Sequence, residues 1–163
     1  MAERPRAAAA GAAAARRIAV VGTGYVGLTT GACLCSLGHR VICADVDSGK
    51  VSRLARGEVD IPEPGLADLL RAGLASRRLS FVTGIEAALT EADLVFLCLP
   101  TPAGADGIPD LSAVEAAVDA CRRLLPAGGI LVTKSTVPVG TAKRIAQSLG
   151  RDDVAVVSNP EFL

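Results

Sequence analysis

Arg17-Ile18-Ala19-Val20-Val21 runs directly into Gly22-Thr23-Gly24-Tyr25-Val26-Gly27, and from there into a stretch of helical character that ends near Leu37. The first five residues form a short β-rich apolar run, and Val26 to Leu37 is expected to be a helix. The G-x-G-x-x-G pattern therefore occupies a strand-to-helix turn. Each glycine has a separate task there. Gly22 permits the tight turn, Gly24 removes a Cβ from the path of a phosphate, and Gly27 lets the helix approach the sheet closely. Gly31, one helical turn further on, extends that close-packing face. The free N–H groups of a helix N-terminus, with about half a positive charge, suffice to hold an anion. The turn contains no lysine, and it lacks the G-K-[ST] ending that a nucleoside-triphosphate loop needs for its phosphate and magnesium. A dinucleotide pyrophosphate fits this turn, and a triphosphate does not.

Working outward, similar apolar runs recur at Arg40 to Ala44, Leu79 to Val82, Leu94 to Leu99, Ile130 to Thr133 and Val154 to Ser158. Most are continuously apolar rather than alternating, as expected of strands covered on both faces, and the intervening segments are long enough for helical crossovers. The expected fold is α/β: a doubly wound parallel sheet of six strands, the Rossmann type. Asp45 closes the second run, eighteen residues beyond Gly27. A carboxylate there can accept hydrogen bonds from both hydroxyls of an adenosine ribose and repels a 2′-phosphate, so NAD is preferred over NADP. Lys50 lies five residues on, within reach of the same ribose or of a phosphate.

Local signals agree with this partition. Ile61-Pro62-Glu63-Pro64-Gly65 should split the second crossover into two short helices joined by a stiff link. Ser112 and Glu115 are spaced as a capping box before a helix over Ala113 to Leu125, which Pro126 and Gly128-Gly129 end.

Composition sets the outer limits. With 163 residues, one domain burying roughly two-thirds of its unfolded surface is the default. Half of the residues are hydrophobic, yet the aromatics are only Tyr25, Phe81, Phe96 and Phe162, so Ala, Val, Leu and Ile must build the core. Seventeen basic residues balance seventeen acidic ones, so no overall field draws the chain to nucleic acid or an acidic membrane. The five cysteines match no zinc or disulfide spacing, and His39 is the single histidine; no metal is expected, and a reducing cytoplasm suits the thiols. Residues Met1 to Arg16 hold an Ala/Gly run between arginines, too weakly apolar for a secretory leader; they are expected to form a disordered tail, with the dinucleotide domain over 17–163. No stretch approaches the ~18 apolar residues of a membrane span.

Four further segments follow in order. They are Glu63-Pro64-Gly65-Leu66; Pro100-Thr101-Pro102 with Asp106-Gly107 and Asp110-Leu111 behind it; Lys134-Ser135-Thr136-Val137-Pro138-Val139-Gly140-Thr141; and Asn159-Pro160-Glu161-Phe162-Leu163. Together with Gly24-Tyr25-Val26-Gly27, the series resembles the nucleotide-sugar dehydrogenases, the family of UDP-glucose 6-dehydrogenase and GDP-mannose dehydrogenase, from Arg17 to Leu163. The resemblance implies that NAD is bound by Gly22, Gly24, Tyr25, Val26, Gly27, Asp45 and Lys50. It also implies that Thr101 and Pro102 line the cofactor, that Ser135 meets it near the nicotinamide, and that Thr136 helps to position a water. Glu161 becomes the acid-base candidate, acting in the hydrolysis of a cysteine-bound thioester, and Glu161, Phe162 and Leu163 lie against the sugar nucleotide, with UDP-glucose foremost.

In that family an alcohol is oxidised to an aldehyde and then to a thioester, consuming two NAD. The nucleophilic cysteine, its lysine and asparagine helpers and the sugar-nucleotide pocket come after the Asn159-Pro160-Glu161 segment. The 163 residues are therefore expected to bind NAD without oxidising a sugar. The resemblance implies that full-length family members oligomerise, through contacts that include that later region. Among the cysteines only Cys98 approaches the expected site, and its spacing matches no family nucleophile. Two alternatives stay open at this level: another dehydrogenase of the hydroxyacid or 6-phosphogluconate type, and a non-catalytic NAD-sensing module.

Overall fold

The computed structural model describes residues 14–104 and 108–161. The expected tail at 1–16 thus lies mostly outside the described residues, as do Asp106, Gly107, Phe162 and Leu163. Six strands form one parallel sheet: β1 (Arg17–Val21), β2 (Arg40–Asp45), β3 (Leu79–Thr83), β4 (Leu94–Leu97), β5 (Ile130–Thr133) and β6 (Ala155–Ser158). Their order is β3-β2-β1-β4-β5-β6, so the winding reverses between β1 and β4. The helices are α1 (Tyr25–Ser36), α2 (Ser48–Ala55), α3 (Leu66–Ala75), α4 (Glu86–Leu89), α5 (Ser112–Leu124) and α6 (Thr141–Leu149). The stiff link separates α2 from α3 as the prolines predict.

Alternation along the strands divides the apolar residues between two faces. Ile18, Val20, Val41, Cys43, Leu79 and Phe81 pack with Leu28, Ala32, Val51, Leu54, Leu66 and Leu70 of α1, α2 and α3. Ala19, Val21, Val95, Leu97 and Leu131 pack with Leu89, Val114, Val118, Ile145 and Leu149 of α4, α5 and α6. Each strand of this kind is apolar on both sides because each side meets a helical layer. Small residues bring α1 down onto the sheet: a Cβ at Gly31 would stand 2.6 Å from Cys43 Sγ.

Several boundaries differ from the sequence reading. β2 ends at Asp45 as expected, β3 gains Thr83, and β6 starts one residue later, at Ala155; α1 is shifted by one. β4 stops at Leu97 instead of Leu99, because Leu99 turns its N–H to Ser135 Oγ (3.0 Å) and accepts from the same hydroxyl (2.7 Å). The capping box does not form. Ser112 is already inside α5, its N–H donates to Asp110 Oδ1 (2.9 Å), and no side chain caps through Ser112. Asp110 does this work because a carboxylate two residues upstream can close an Asx-turn.

Candidate functional site

A cleft of about 990 Å³ runs along the C-terminal edge of the sheet, across the point between β1 and β4 where the strand order reverses. Crevices of this kind are where open α/β sheets bind ligands. The glycine turn forms its middle. Gly22 has φ +93°, and a Cβ on it would lie 2.4 Å from the Cys98 carbonyl oxygen, so both conformation and space demand glycine. At Gly27 a Cβ would meet the Gly22 carbonyl oxygen at 1.9 Å, which fixes how closely α1 can start beside β1. Gly24 is different. It caps α1 in an extended conformation, and a Cβ there meets no protein atom within 4 Å. Nothing in the packing of the fold demands glycine at position 24. α1 carries no acidic residue in its first turn, and its first amides have no intrahelical acceptor.

At one end of the cleft Asp45 leaves β2 with its side chain only 14% exposed. Its Oδ2 accepts from the Thr23 N–H (2.9 Å) and the Thr23 hydroxyl (2.5 Å), and the Asp47 N–H reaches Oδ1 (3.2 Å). Asp47 also caps α2 through the Lys50 N–H, which sets Lys50 in the first turn with its Nζ 3.3 Å from Asp45 Oδ2. Burial pushes the Asp45 carboxyl up, but the bonds from Thr23, the Asp47 N–H and the Lys50 charge outweigh it and hold the group at about 2. Asp45 faces the cleft as a fixed anion.

The other end is built from the chain that leaves β5 and β6. Lys134, 12% exposed, places its Nζ 3.0 Å from Glu161 Oε2 and 3.1 Å from Asn159 Oδ1. The backbone of Glu161 is held as well: its N–H donates to the Lys134 carbonyl (3.1 Å), and its carbonyl accepts from the Thr136 hydroxyl (3.1 Å). Thr101 in turn donates to the Thr136 carbonyl (2.9 Å), tying the loop after β4 to the loop after β5. This arrangement presents a carboxylate of fixed position to the cleft, a group able to take or give a proton.

The cleft gathers Gly22, Gly24, Tyr25, Val26, Asp45, Lys50, Thr101, Ser135, Thr136 and Glu161, but two of the expected residues stay outside it. Gly27 acts beneath the turn by letting α1 pack. Pro102 is not part of the lining; it starts the excursion whose return is marked by the Asp110 N–H on the Pro102 carbonyl (2.8 Å). Ser135 lines the cleft although its hydroxyl is spent on Leu99, as described above. Phe162 and Leu163 lie outside the described residues. Three participants escaped the sequence reading: Thr23, Lys134 and Glu63, whose carboxylate accepts from the Tyr25 hydroxyl (2.8 Å). Lys134 had a signal, since it directly follows a strand at the ligand-binding edge. Thr23 had none, sitting where the glycine pattern allows any residue.

Burial pushes the Cys98 thiol up to about 12 against the opposing pull of Lys134, so it carries no thiolate character despite lining the cleft. Among the described residues, no three His, Cys, Asp or Glu side chains gather to hold a metal ion, and no helix is long and apolar enough to cross a membrane.

Comparison with known proteins gives a consistent result. UDP-glucose 6-dehydrogenase of Pseudomonas aeruginosa is 45% identical over 155 residues, 90% of this chain and 34% of that protein. UDP-glucose 6-dehydrogenase TuaD of Bacillus subtilis is 42% identical over 153 residues, 91% of this chain and 33% of its own length. Among solved structures, a UDP-glucose dehydrogenase from Pyrobaculum islandicum superposes with a TM-score of 0.82 at 38% identity, covering 99% of this chain and 38% of that one. The chain thus spans about a third of the length of the relatives it matches. Residues 16–163 match the NAD-binding domain of the UDP-glucose/GDP-mannose dehydrogenase family, which sets aside the hydroxyacid-type alternative, and the chain belongs to that family.

Proposed function

We propose that this chain is the cofactor-holding part of an enzyme that oxidises the C6 alcohol of a nucleotide sugar, UDP-glucose foremost, to the carboxylate with two NAD. The observation that carries the reading is the sharing of one cleft by an uncrowded glycine turn with a fixed acid beside it and, at the far end, a clamped carboxylate. Gly22, Gly24, Tyr25 and Val26 hold the pyrophosphate over the start of α1, with Gly27 supporting them from beneath. Asp45 and Lys50 take the adenosine ribose. Thr101 and Ser135 shape the nicotinamide end, and Pro102 sets the course of the loop that carries Thr101. When bound, NAD supplies the hydride acceptor for the oxidation.

Glu161 serves as the acid-base residue for the hydrolytic step, with Thr136 helping to position the water and Glu161, Phe162 and Leu163 bordering the sugar nucleotide. The clamp supports this assignment, because proton transfer rewards a carboxylate whose position is settled before the substrate arrives. The reaction belongs in the cytoplasm, where free thiols such as Cys33 and Cys35 persist.

The 163 residues by themselves bind NAD and do not oxidise sugar. The test is to add NAD and UDP-glucose to the purified chain, following binding by calorimetry and NADH by absorbance. Binding without NADH is the expected outcome. NADH formation would overturn the division of labour, and absence of NAD binding would overturn the assignment of the cleft. In the protein that carries this chain, two NADH per UDP-glucose are expected, and one would refute oxidation to the carboxylate.

A further inference from the structure

Thr23 lies between the first two glycines, at a position the glycine pattern leaves open, yet it is completely buried. Its N–H and its hydroxyl both end on the same atom, Asp45 Oδ2, at 2.9 and 2.5 Å. These are donors from the turn to a carboxylate on the neighbouring strand. They fix the rotation of the Asp45 side chain from the β1 side, while the Asp47 N–H and Lys50 hold it from its own side. A hydrogen bond to a charged acceptor is among the stronger ones, and two from a buried residue leave the carboxylate little freedom to turn.

We propose that Thr23 is the positioning residue behind cofactor selectivity, holding Asp45 as an immobile anion that accepts ribose hydroxyls and turns away a 2′-phosphate. The inference rests on the assignment of Asp45 to the adenosine ribose. An acid that could rotate toward solvent would discriminate poorly, because it could withdraw and leave Lys50, 3.3 Å away, to pair with the phosphate instead. With Thr23 donating twice, withdrawal breaks two bonds and strands a buried hydroxyl. The same donors help to keep the carboxyl at about 2, so it cannot escape the charge conflict by taking up a proton near neutral pH.

The dissociation constants of NAD and of NADP are measured by calorimetry on the chain and on two variants. Thr23→Ser keeps the hydroxyl and should retain both constants within about twofold. Thr23→Val keeps the shape and loses the hydroxyl; NAD binding should weaken about tenfold, the size of one charge-assisted bond, while NADP binding changes little or improves. The NADP/NAD ratio then narrows by about tenfold. Equal weakening of both cofactors, with the ratio unchanged, would make Thr23 a support for the turn alone and overturn the proposal. Thr23→Ala, which adds no bulk beside Asp45, carries the same ratio test if the valine variant does not fold. Failure of the unsubstituted chain to prefer NAD would refute the ribose assignment itself, an outcome distinct from an unchanged ratio.

Discussion

Gly24→Ala and Gly27→Ala add the same methyl group to the same turn, three residues apart, and should fail in opposite ways. At Gly24 the new Cβ meets no protein atom within 4 Å, and the backbone φ of −68° is open to alanine. Alanine is a poorer N-cap than glycine, a cost of up to about 1 kcal/mol, or about 2–4 °C in Tm for a chain of this size. At Gly27 the Cβ would stand 1.9 Å from the Gly22 carbonyl oxygen and 3.1 Å from Cys98 Cβ, so backbone must move. Overpacking of that kind costs about 1–3 kcal/mol, which lowers Tm by about 2–12 °C. The cofactor reverses the ranking. NAD at a hundred times its dissociation constant stabilises the parent chain by about 2.7 kcal/mol, and a variant binding tenfold more weakly keeps only about 1.4 kcal/mol at the same concentration. Melting curves with and without NAD should therefore show Gly24→Ala nearly as stable as the parent but with its NAD-induced shift halved or worse. Gly27→Ala should start lower. If Gly24→Ala melts as low as Gly27→Ala without NAD, or keeps the full shift with it, the claim that Gly24 is reserved for a ligand is wrong.

Three further outcomes are expected. Asp45→Ala should weaken NAD binding tenfold or more by calorimetry; an unchanged constant removes Asp45 from the ribose site. Because the folded Asp45 carboxyl sits at about 2, below its unfolded value of about 3.9, its contribution to stability is complete above that unfolded value and is lost as pH falls through about 2. After allowance for solvent screening it amounts to about 1–2 kcal/mol, and Asp45→Asn should flatten the acid limb of a stability–pH curve by that amount. Finally, Gly31→Ala should cost about 1–2 kcal/mol, since its methyl would lie 2.6 Å from the buried Cys43 Sγ. Adding Cys43→Ala should return part of that loss in denaturant melts; strictly additive losses would show that α1 is not held at this spot by the glycine–sulfur contact.

The sequence disclosed those parts of the molecule whose physics is local. Six apolar runs became six strands because each is too short to be a helix, and those of β1, β2, β4 and β5 are covered on two faces. The Ile61 to Gly65 link separates α2 from α3 because two prolines within four residues cannot continue a helix. The glycine turn was legible because backbone conformation and close approach restrict residue type sharply at Gly22 and Gly27. Strand ends were less legible. β4 stops two residues early through a hydroxyl thirty-six residues away in sequence, and nothing near Leu97 announces Ser135. The start of α5 is held by Asp110 rather than by the Ser112 side chain for a related reason: the spacing of a capping box also suits an Asx-turn, and only the chain direction entering the helix chooses between them.

The site divides along the same line. Asp45 could be placed from its strand and its distance from the turn, but its state could not, because that state is set by Thr23 from another strand's end and by Lys50 through the Asp47 cap. Glu161 could be named from its segment, whereas its clamp depends on β5 and β6 lying side by side, with Thr133 opposite Ser158, so that Lys134 emerges next to Asn159 and Glu161. In both cases the residue proposed to meet the ligand is marked by its place in the sequence, and the residue holding it has no role that the sequence assigns. Thr23 and Lys134 share one property that a sequence cannot display. Each is a polar residue in the cleft wall with little or no exposure, and each donates to a carboxylate that faces the cleft. Burying such a donor is costly unless it is paired, so its burial and the fixity of its partner carboxylate are a single fact about the fold. Substitutions at these two positions should therefore alter how Asp45 and Glu161 behave before they alter whether the sheet forms, since the six strands and their two apolar faces are assembled from other residues.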